Sequence, residues 1–232
     1  MTAPSTLCYL CGKPLLAPLS DDHVPPKQLY VKELRRAHNL NLLTIRVHAL
    51  CNSSYQHDED YFVNTLAPFA RGSYAGSALL RDVVDKYARG EKRSLVHRVL
   101  EEFQRRPSGL ILPPNLVAKR FSAERIHRVA WKIVRGLYFS EFQEVLPLET
   151  PNTLQVIPPD QVPPKDFLLA LYDVPSRGRH VSVFDYKYIQ VSELDDFNYW
   201  ALLLWDRIIL IVAFHGIRCK CEHCRQLRGE AA

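Results

Sequence analysis

The sequence predicts an α+β fold. A small module stabilised by a bound metal ion comes first, helices follow in the middle, and the carboxy-terminal part is β-rich and antiparallel. Three observations lead to this prediction. Closely spaced cysteines mark the first part, apolar residues recur with helical spacing in the middle, and strand-like apolar runs fill the end. We therefore divide the chain into residues 1–75, 76–150 and 151–232.

The composition is that of a folded protein with a modest positive charge. Hydrophobic residues make up 47% of the 232 residues, which is enough for a packed core and excludes global disorder. No leading segment has the pattern of a secretory signal. The longest apolar run, Tyr199 to Phe214, contains Asp206 and Arg207 and is too short to span a bilayer comfortably. We expect a cytoplasmic protein that does not contact a membrane.

The first two thirds of the chain alternate between turn-rich and periodic segments. The segment Asn41 to Val47 is rich in β-branched residues and is predicted to be a strand. A helix is predicted over Glu59–Leu66, and helical spacing of apolar residues returns from Leu79 to Phe103. A further helix is predicted from Ser122 to Arg135, with Gly136 as its terminator.

Prolines mark the start of the last third. Five of the fourteen residues from Pro151 to Pro164 are proline, which predicts a stiff connector or an extended lip. Strand-like runs follow at Phe167–Val174, His180–Val191 and Tyr199–Phe214, the last one interrupted at Asp206–Arg207 as in a hairpin. The last third is therefore predicted to be mostly antiparallel β-structure.

Four soft ligands near the amino terminus have the spacing of a zinc site. Cys8 and Cys11 form a C-x-x-C in which Gly12 eases the turn, and His48 and Cys51 form an H-x-x-C after the predicted strand. Structural zinc sites close with four such ligands, so we predict that three cysteines and one histidine hold one structural Zn2+. Small buried residues without a metal are the alternative.

A second group of residues combines oxygen ligands with a histidine. Asp22 can hold a hard divalent cation through oxygen, with Asp21 as its competitor, and the neutral imidazole of His23 can accept a proton from water. Asn52 directly follows the last predicted zinc ligand, so zinc would fix the position of its amide oxygen. Asn41 opens the strand that lies between these groups.

Taken in order, the motifs C-x-x-C, D-H, N and H-x-x-C-N resemble the HNH endonuclease family, whose core is the ββα-metal fold. The resemblance covers about residues 7–66. The segment DDHVPPK resembles the first histidine element of that family, and NLLTIRVHALCN resembles its asparagine strand with the second zinc knuckle. One large branch of the family usually has cysteine where this chain has His48, which is also an acceptable zinc ligand.

The resemblance implies a role for each matching residue. His23 is implied to be the general base, Asn41 the residue that orients it, with Asn39 as a competitor, and Asn52 the third position of the motif. Asp22 and Asn52 are implied to hold the catalytic Mg2+ or Mn2+, which polarises the scissile phosphate. The Zn2+ is implied to be structural.

Four cations repeat along one side of the helix predicted from Ser122. The middle third holds fourteen basic and nine acidic residues, a net of +5, which equals the charge of the whole chain. We expect this basic stripe to contact the phosphate backbone of a nucleic acid, and an ordinary solvated helix face is the alternative. The stripe consists of Arg125, Arg128, Lys132 and Arg135.

The second group of cysteines lies near the carboxy terminus. Cys219, Cys221, His223 and Cys224 could hold a second Zn2+, and His215 is nearby. Ligands so close in sequence often cannot all reach one tetrahedral ion. An exposed, redox-prone tail is therefore the alternative.

These observations lead to the hypothesis of a metal-dependent HNH endonuclease that hydrolyses phosphodiester bonds in double-stranded DNA. The resemblance suggests a role in restriction or phage defence. The carboxy-terminal region is expected to serve homodimer formation or a partner protein. Two alternatives stay open, namely a non-catalytic zinc module that binds nucleic acid or protein, and a nuclease that acts on RNA.

Overall fold

Helices dominate the first two thirds of the chain and strands the last third. The computed structural model describes residues 6–37, 40–114, 116–191, 196–216, 219, 222–227 and 229. Its helices are α1 (Lys32–Ala37), α2 (Ala49–Ser53), α3 (Gln56–Leu66), α4 (Tyr74–Ala88), α5 (Arg93–Glu101), α6 (Ala123–Phe142), α7 (Lys165–Leu171) and α8 (Glu222–Leu227). Its strands are β1 (Leu19–His23), β2 (Thr44–His48), β3 (Phe103–Gln104), β4 (Ala118–Lys119), β5 (Asn152–Ile157), β6 (Phe184–Val191), β7 (Phe197–Leu204) and β8 (Ile208–His215).

All strand pairing between these elements is antiparallel. Strands β1 and β2 form a hairpin in which His23 lies opposite Thr44, and helix α2 follows β2 without a loop. Strands β3 and β4 form a second small pair. The remaining strands form one sheet in the order β5-β8-β7-β6. The predicted α+β class, the small amino-terminal metal-site module and the antiparallel carboxy-terminal sheet are therefore confirmed.

Helix α6 lies at the centre of the molecule. It packs against α3 on one side and against β8 of the large sheet on the other. Its apolar side is fully buried, through residues that include Ile126, Val129, Ile133, Val134 and Leu137. The hydrophobic core is continuous and draws on all three predicted regions. No helix in the described ranges is both long and apolar enough to cross a membrane.

Aromatic side chains are among the contacts that attach the large sheet to the rest of the molecule. The ring of Tyr138 on α6 packs against Phe214 and Trp200 of the sheet, with ring centroids 6.0 and 6.3 Å apart. At the turn between β7 and β8, the indole nitrogen of Trp205 donates to the backbone oxygen of Leu29 at 3.0 Å. Trp205 is fully buried, so this turn reaches into the amino-terminal module.

The predicted end of the central helix at Gly136 is wrong, because α6 continues to Phe142. Gly136 lies inside the helix at its closest approach to the amino-terminal module. A Cβ atom there would lie 2.7 and 2.9 Å from the two methyl carbons of Val24 and 3.2 Å from the ring of Tyr9. The glycine therefore provides space for close packing and does not end the helix.

Two predictions for the last third are also corrected. The proline-rich segment contains β5, because Asn152 to Ile157 lies between two prolines and pairs with β8 along its whole length. The run Phe167–Val174, predicted as a strand, belongs largely to helix α7. Leucine and alanine favour a helix there, and Pro164 stands immediately before its first turn, where proline is tolerated. The predicted hairpin at Asp206–Arg207 is confirmed by β7 and β8.

The close approach at Gly136 gives a prediction about stability. In an ordinary helix interior, Gly→Ala stabilises by up to about 1 kcal/mol. We expect Gly136→Ala to destabilise by about 1–3 kcal/mol instead, because its methyl group would overlap the stiff side chain of buried Val24. Urea unfolding of both proteins measures the difference.

A double-mutant cycle provides the control. Adding Val24→Ala removes both methyl carbons that the new methyl group at position 136 would meet, so the cost of Gly136→Ala should be smaller in that background than in the parent. Equal costs in the two backgrounds would show that Val24 is not the obstacle.

Candidate functional site

The four predicted zinc ligands converge beside the β1–β2 hairpin. Cys8 and Cys11 lie in a tight turn in which the backbone nitrogen of Gly12 donates to the Cys8 carbonyl at 2.7 Å. His48 ends β2, and Cys51 follows on α2. One ligand atom from each of the four residues lies within 4.8 Å of all the others. The three cysteines carry free thiols.

The geometry of this cluster suits a tetrahedral ion. Zn–S bonds of about 2.3 Å and Zn–N bonds of about 2.0 Å place a nitrogen and a sulfur ligand about 3.5 Å apart. The Nδ1 atom of His48 lies 3.4 Å from the sulfur of Cys11 and 3.8 Å from that of Cys51. Its Nε2 atom lies 3.0 Å from the carbonyl of Pro14, which holds the ring with Nδ1 towards the thiols. The cluster is therefore able to bind a metal such as zinc.

A cavity of 330 Å³ opens beside the hairpin, on the side where α2 and α3 meet β1. Its lining includes Asp21, Asp22 and His23 of β1, Asn52 of α2 and Glu59 of α3. The hairpin and α2 thus bring together three of the predicted site residues, which lie up to 30 positions apart in the chain. Basic residues also line this cavity, namely Lys27, Lys32, Arg35, Lys86 and Lys92.

His23 is partly shielded from solvent, and Asn52 is hydrogen-bonded to β1. His23 is half-buried, and this burial, followed by the nearby charge of Lys27, lowers the pKa of its imidazole, so that the neutral form dominates near pH 7. The side-chain nitrogen of Asn52 donates to Ser20 Oγ at 3.2 Å and to the Asp21 carbonyl at 3.4 Å. Because Nδ2 is engaged with β1, Oδ1 is the atom of this amide that a cation could use.

Asp22 has a different environment from the one expected for a simple metal ligand. Strand alternation turns its side chain into the core, where the residue is only 3% exposed. One carboxylate oxygen accepts from the Tyr9 hydroxyl, and the other accepts from Lys132 Nζ at 2.6 Å. Burial, and next the charge of Asp22, raise the pKa of Tyr9 well above its usual value, so Tyr9 remains a donor. A divalent ion at Asp22 would have to share the carboxylate with these groups.

Lys132 joins two carboxylates in this buried network. Its ammonium contacts Asp22 and also donates to Glu59 of α3. Burial is the main reason that the pKa of Glu59 is raised, and the charge of Lys132 opposes that effect. Asp21, the competing oxygen ligand, is exposed and forms an ion pair with Arg46 at 3.1 Å. Of the two aspartates, Asp21 is thus the one open to solvent.

Asn41, predicted to orient His23, is not among the residues that line the cavity. It is exposed, and it precedes β2 by three positions. The position of its competitor Asn39 lies outside the described residues. The orienting role of Asn41 stays a prediction without support from this geometry.

The expectation of a solvent-facing basic stripe on α6 is wrong for Lys132 and Arg135, which are buried, whereas Arg128 is exposed. Lys132 and Arg135 are each 1% exposed, and Arg135 donates to the carbonyls of Leu146 and Tyr9, both at 2.8 Å. Arg125 and Arg128 form ion pairs with Asp58 of α3, and their guanidinium groups lie over the rings of Tyr61 and Tyr55. The stripe faces α3 and the amino-terminal turn because buried acids and carbonyls there need donors.

The predicted second zinc ligands are placed only in part. Cys219 and Cys224 lie with His215 in one cluster whose ligand atoms are all within 4.8 Å of one another. Cys221 and the side chain of His223 lie outside the described residues. His215, which ends β8, was only a nearby residue in the sequence and is part of the cluster in the structure.

Two residues of the buried network carried little signal in the sequence. Tyr9 stands between the zinc-ligating cysteines, where an aromatic residue gives no indication of its contact with Asp22. Glu59 belongs to the acidic-aromatic segment from Asp58 to Phe62, and its pairing with Lys132 joins residues 73 positions apart. Only the presence of three adjacent acids in a segment that also contains apolar residues could have indicated that cations must meet them.

Comparison of the chain with protein-family models, with curated proteins and with solved structures found no match. A function is therefore inferred from the geometry of the two clusters and of the cavity.

Removal of the central cation is expected to destabilise the protein strongly. Lys132→Met leaves two buried carboxylates without their shared partner, which costs about 3–5 kcal/mol when a buried pair is broken. Without the ammonium, the burial that raises the pKa of Glu59 is no longer opposed, so this carboxyl group binds a proton more readily in the folded than in the unfolded state. The stability of the variant should therefore decrease, relative to the parent, between about pH 5 and about pH 8. Urea unfolding at both pH values measures this difference.

The matched control is Lys86→Met. Lys86 forms an ion pair of the same length, 2.6 Å, with Asp82, but both side chains are partly exposed to solvent. Its removal should cost less than about 1 kcal/mol at either pH. A similar small effect for Lys132→Met would contradict the role of the buried network.

The His48 position offers a test of the amino-terminal cluster. His48→Ala should remove one zinc ion per chain, because three ligands hold a structural zinc less tightly than four. His48→Cys should retain that ion, because a thiolate at the same position completes a set of four cysteine ligands. Elemental analysis after dialysis gives the metal content. Equal zinc in His48→Ala and in the parent would exclude His48 as a ligand.

Proposed function

We propose that this protein is a metal-dependent endonuclease of the HNH type, which hydrolyses phosphodiester bonds in double-stranded DNA. One observation carries the proposal. The β1–β2 hairpin and α2 bring Asp22, His23 and Asn52 into one cavity next to the cluster of three cysteines and His48. A hairpin followed by a helix, with these residue types in this order, is the arrangement that the resemblance in the sequence implies.

The residues of the cavity can perform the proton transfer that hydrolysis needs. The lowered pKa of His23 keeps an imidazole nitrogen able to accept a proton from water near neutral pH. The oxygen of that water forms a bond to phosphorus while the bond to the leaving 3′ oxygen breaks, giving a 5′ phosphate and a 3′ hydroxyl. A divalent ion held by Asn52 and an aspartate, when bound, stabilises the negative charge that develops on the phosphate.

Two adjacent aspartates, Asp21 and Asp22, are candidates for the ligand that holds the divalent ion together with Asn52. Asp22 is the residue that the resemblance implies, but its two oxygens already accept from Tyr9 and Lys132. Asp21 is exposed on the cavity side and its ion pair with Arg46 is accessible to solvent. An exposed ion pair costs little to open, so Asp21 can turn towards a cation more readily than Asp22 can.

The cations around the cavity are the proposed contacts for the phosphate backbone. Lys27 and Lys32 are exposed, and Arg35 lies beside them on α1. Lysine and arginine bind phosphates through charge and give affinity without sequence readout. This position replaces α6 as the proposed substrate surface, because the cations of α6 are engaged within the protein.

A second candidate function is a non-catalytic zinc module that binds nucleic acid. The observation that favours it is the position of Lys132, whose ammonium lies between Asp22 and Glu59 where a divalent cation would otherwise be held. Such a protein would bind DNA through its cavity rim and would not cut it. RNA as the substrate is a further variant of the first proposal.

Plasmid nicking in the presence of Mg2+ or Mn2+ tests the proposal. His23→Ala should reduce the nicking rate by about 10²–10⁴-fold, which is the usual contribution of a general base. DNA affinity and zinc content should stay unchanged, because His23 is not one of the metal-cluster ligands. Equal nicking by His23→Ala and the parent would exclude this residue from the mechanism.

The matched control is His57→Ala. His57 is an exposed histidine on α3 and does not line the cavity, so its removal should leave the nicking rate unchanged. DNA binding without nicking by the parent would favour the non-catalytic module. Cleavage of RNA but not of DNA by the parent would reassign the substrate.

A further inference from the structure

The carboxy-terminal end of the large sheet carries a second cluster of soft ligands, separate from the proposed nuclease cavity. It consists of His215, Cys219 and Cys224. The two cysteines are 0% and 5% exposed. None of the three residues lines the nuclease cavity.

The local backbone brings these three residues together. His215 is the last residue of β8, where it pairs with Phe197 at the start of β7. The backbone nitrogen of Gly216 then donates to the Asp196 carbonyl at 2.6 Å, and that of Cys219 donates to the Gly216 carbonyl at 3.1 Å. Helix α8 supplies Cys224.

Gly216 packs closely against the side chain of Asp196. A Cβ atom at that position would lie 2.1 Å from a carboxylate oxygen of Asp196. Gly216, which directly follows β8, therefore lies against Asp196, which directly precedes β7, and the hydrogen bond from Cys219 to Gly216 places this cysteine next to the end of β8.

The histidine is oriented as a ligand would be. The His215 ring packs edge-on against Phe197, with centroids 4.9 Å apart and an interplanar angle of 86°. Its Nδ1 atom lies 3.1 Å from the sulfur of Cys219. The corresponding distances in the amino-terminal cluster are 3.4 and 3.8 Å, and a tetrahedral zinc site requires about 3.5 Å.

We propose that His215, Cys219 and Cys224 supply three of the four ligands of a second Zn2+ that attaches the carboxy-terminal segment to the large sheet. Two thiolates and one imidazole are a soft donor set that favours zinc over Mg2+ or Ca2+. The ion links β8, which lies in the interior of the sheet, to α8. This site is independent of the proposed nuclease activity, because it contains no residue of the nuclease cavity.

The metal content of purified protein tests the proposal. The parent is expected to hold about two zinc ions per chain, and Cys219→Ser/Cys224→Ser about one. His215→Ala should also lose an ion, whereas His97→Ala, which removes an exposed histidine of α5, should keep both. One zinc per chain in the parent, or two in the double variant, would overturn the proposal.

A measurement on the unmodified chain covers the case in which the variants do not fold. Cys219 and Cys224 should resist iodoacetamide in the native protein and become alkylated after treatment with a zinc chelator, as read by peptide mass spectrometry. Equal labelling before and after chelation would mean that burial alone protects the thiols, and the zinc site would be wrong. A mass lower by two hydrogens, from a Cys219–Cys224 disulfide, would also contradict it.

Discussion

The contact of Lys132 with Asp22 and Glu59 is the interaction on which the arrangement of the molecule depends. Three charges buried together are stable only while each remains paired, since an isolated buried charge costs several kcal/mol. Two of the partners belong to the amino-terminal module and the third to α6. The helix therefore cannot move away from β1 or α3 without leaving a charge unpaired in the core.

A second cation of α6 extends the same constraint to the metal cluster. Arg135 donates to the carbonyl oxygens of Tyr9 and Leu10, which lie in the turn between Cys8 and Cys11. A metal ion held by Cys8 and Cys11 would fix this turn from one side, and the guanidinium holds it from the other. Gly136, the next residue, lets the turn and Val24, which directly follows β1, approach the helix closely. The turn, the hairpin and α6 are thus a single packed unit, and Trp205 connects the large sheet to it.

Features that depend on residues close together in the sequence were predictable from the sequence. The Cys8, Cys11, His48 and Cys51 set follows from two short spacings, and the β7–β8 hairpin follows from a polar break in an apolar run. The face of α6 could not be predicted in the same way. Its pattern of cations is equally typical of a solvated surface, and their acidic partners lie up to 110 positions away in sequence. The direction of a charged side chain depended on which acids the fold buries opposite it.

The net charge counted along a segment of the sequence differs from the charge that the segment presents to solvent. The middle third has a net charge of +5, but its contribution to an external field is reduced because Lys119, Lys132 and Arg135 are buried and Arg125 and Arg128 are paired with Asp58. The first third is nearly neutral, yet it places Lys27, Lys32 and Arg35 around one cavity. Attraction of a polyanion depends on accessible charge. Under the proposed function, a nucleic acid would therefore meet the accessible cations of the module that carries His23 and Asn52, in a cavity that acidic residues such as Asp60 and Asp82 also line.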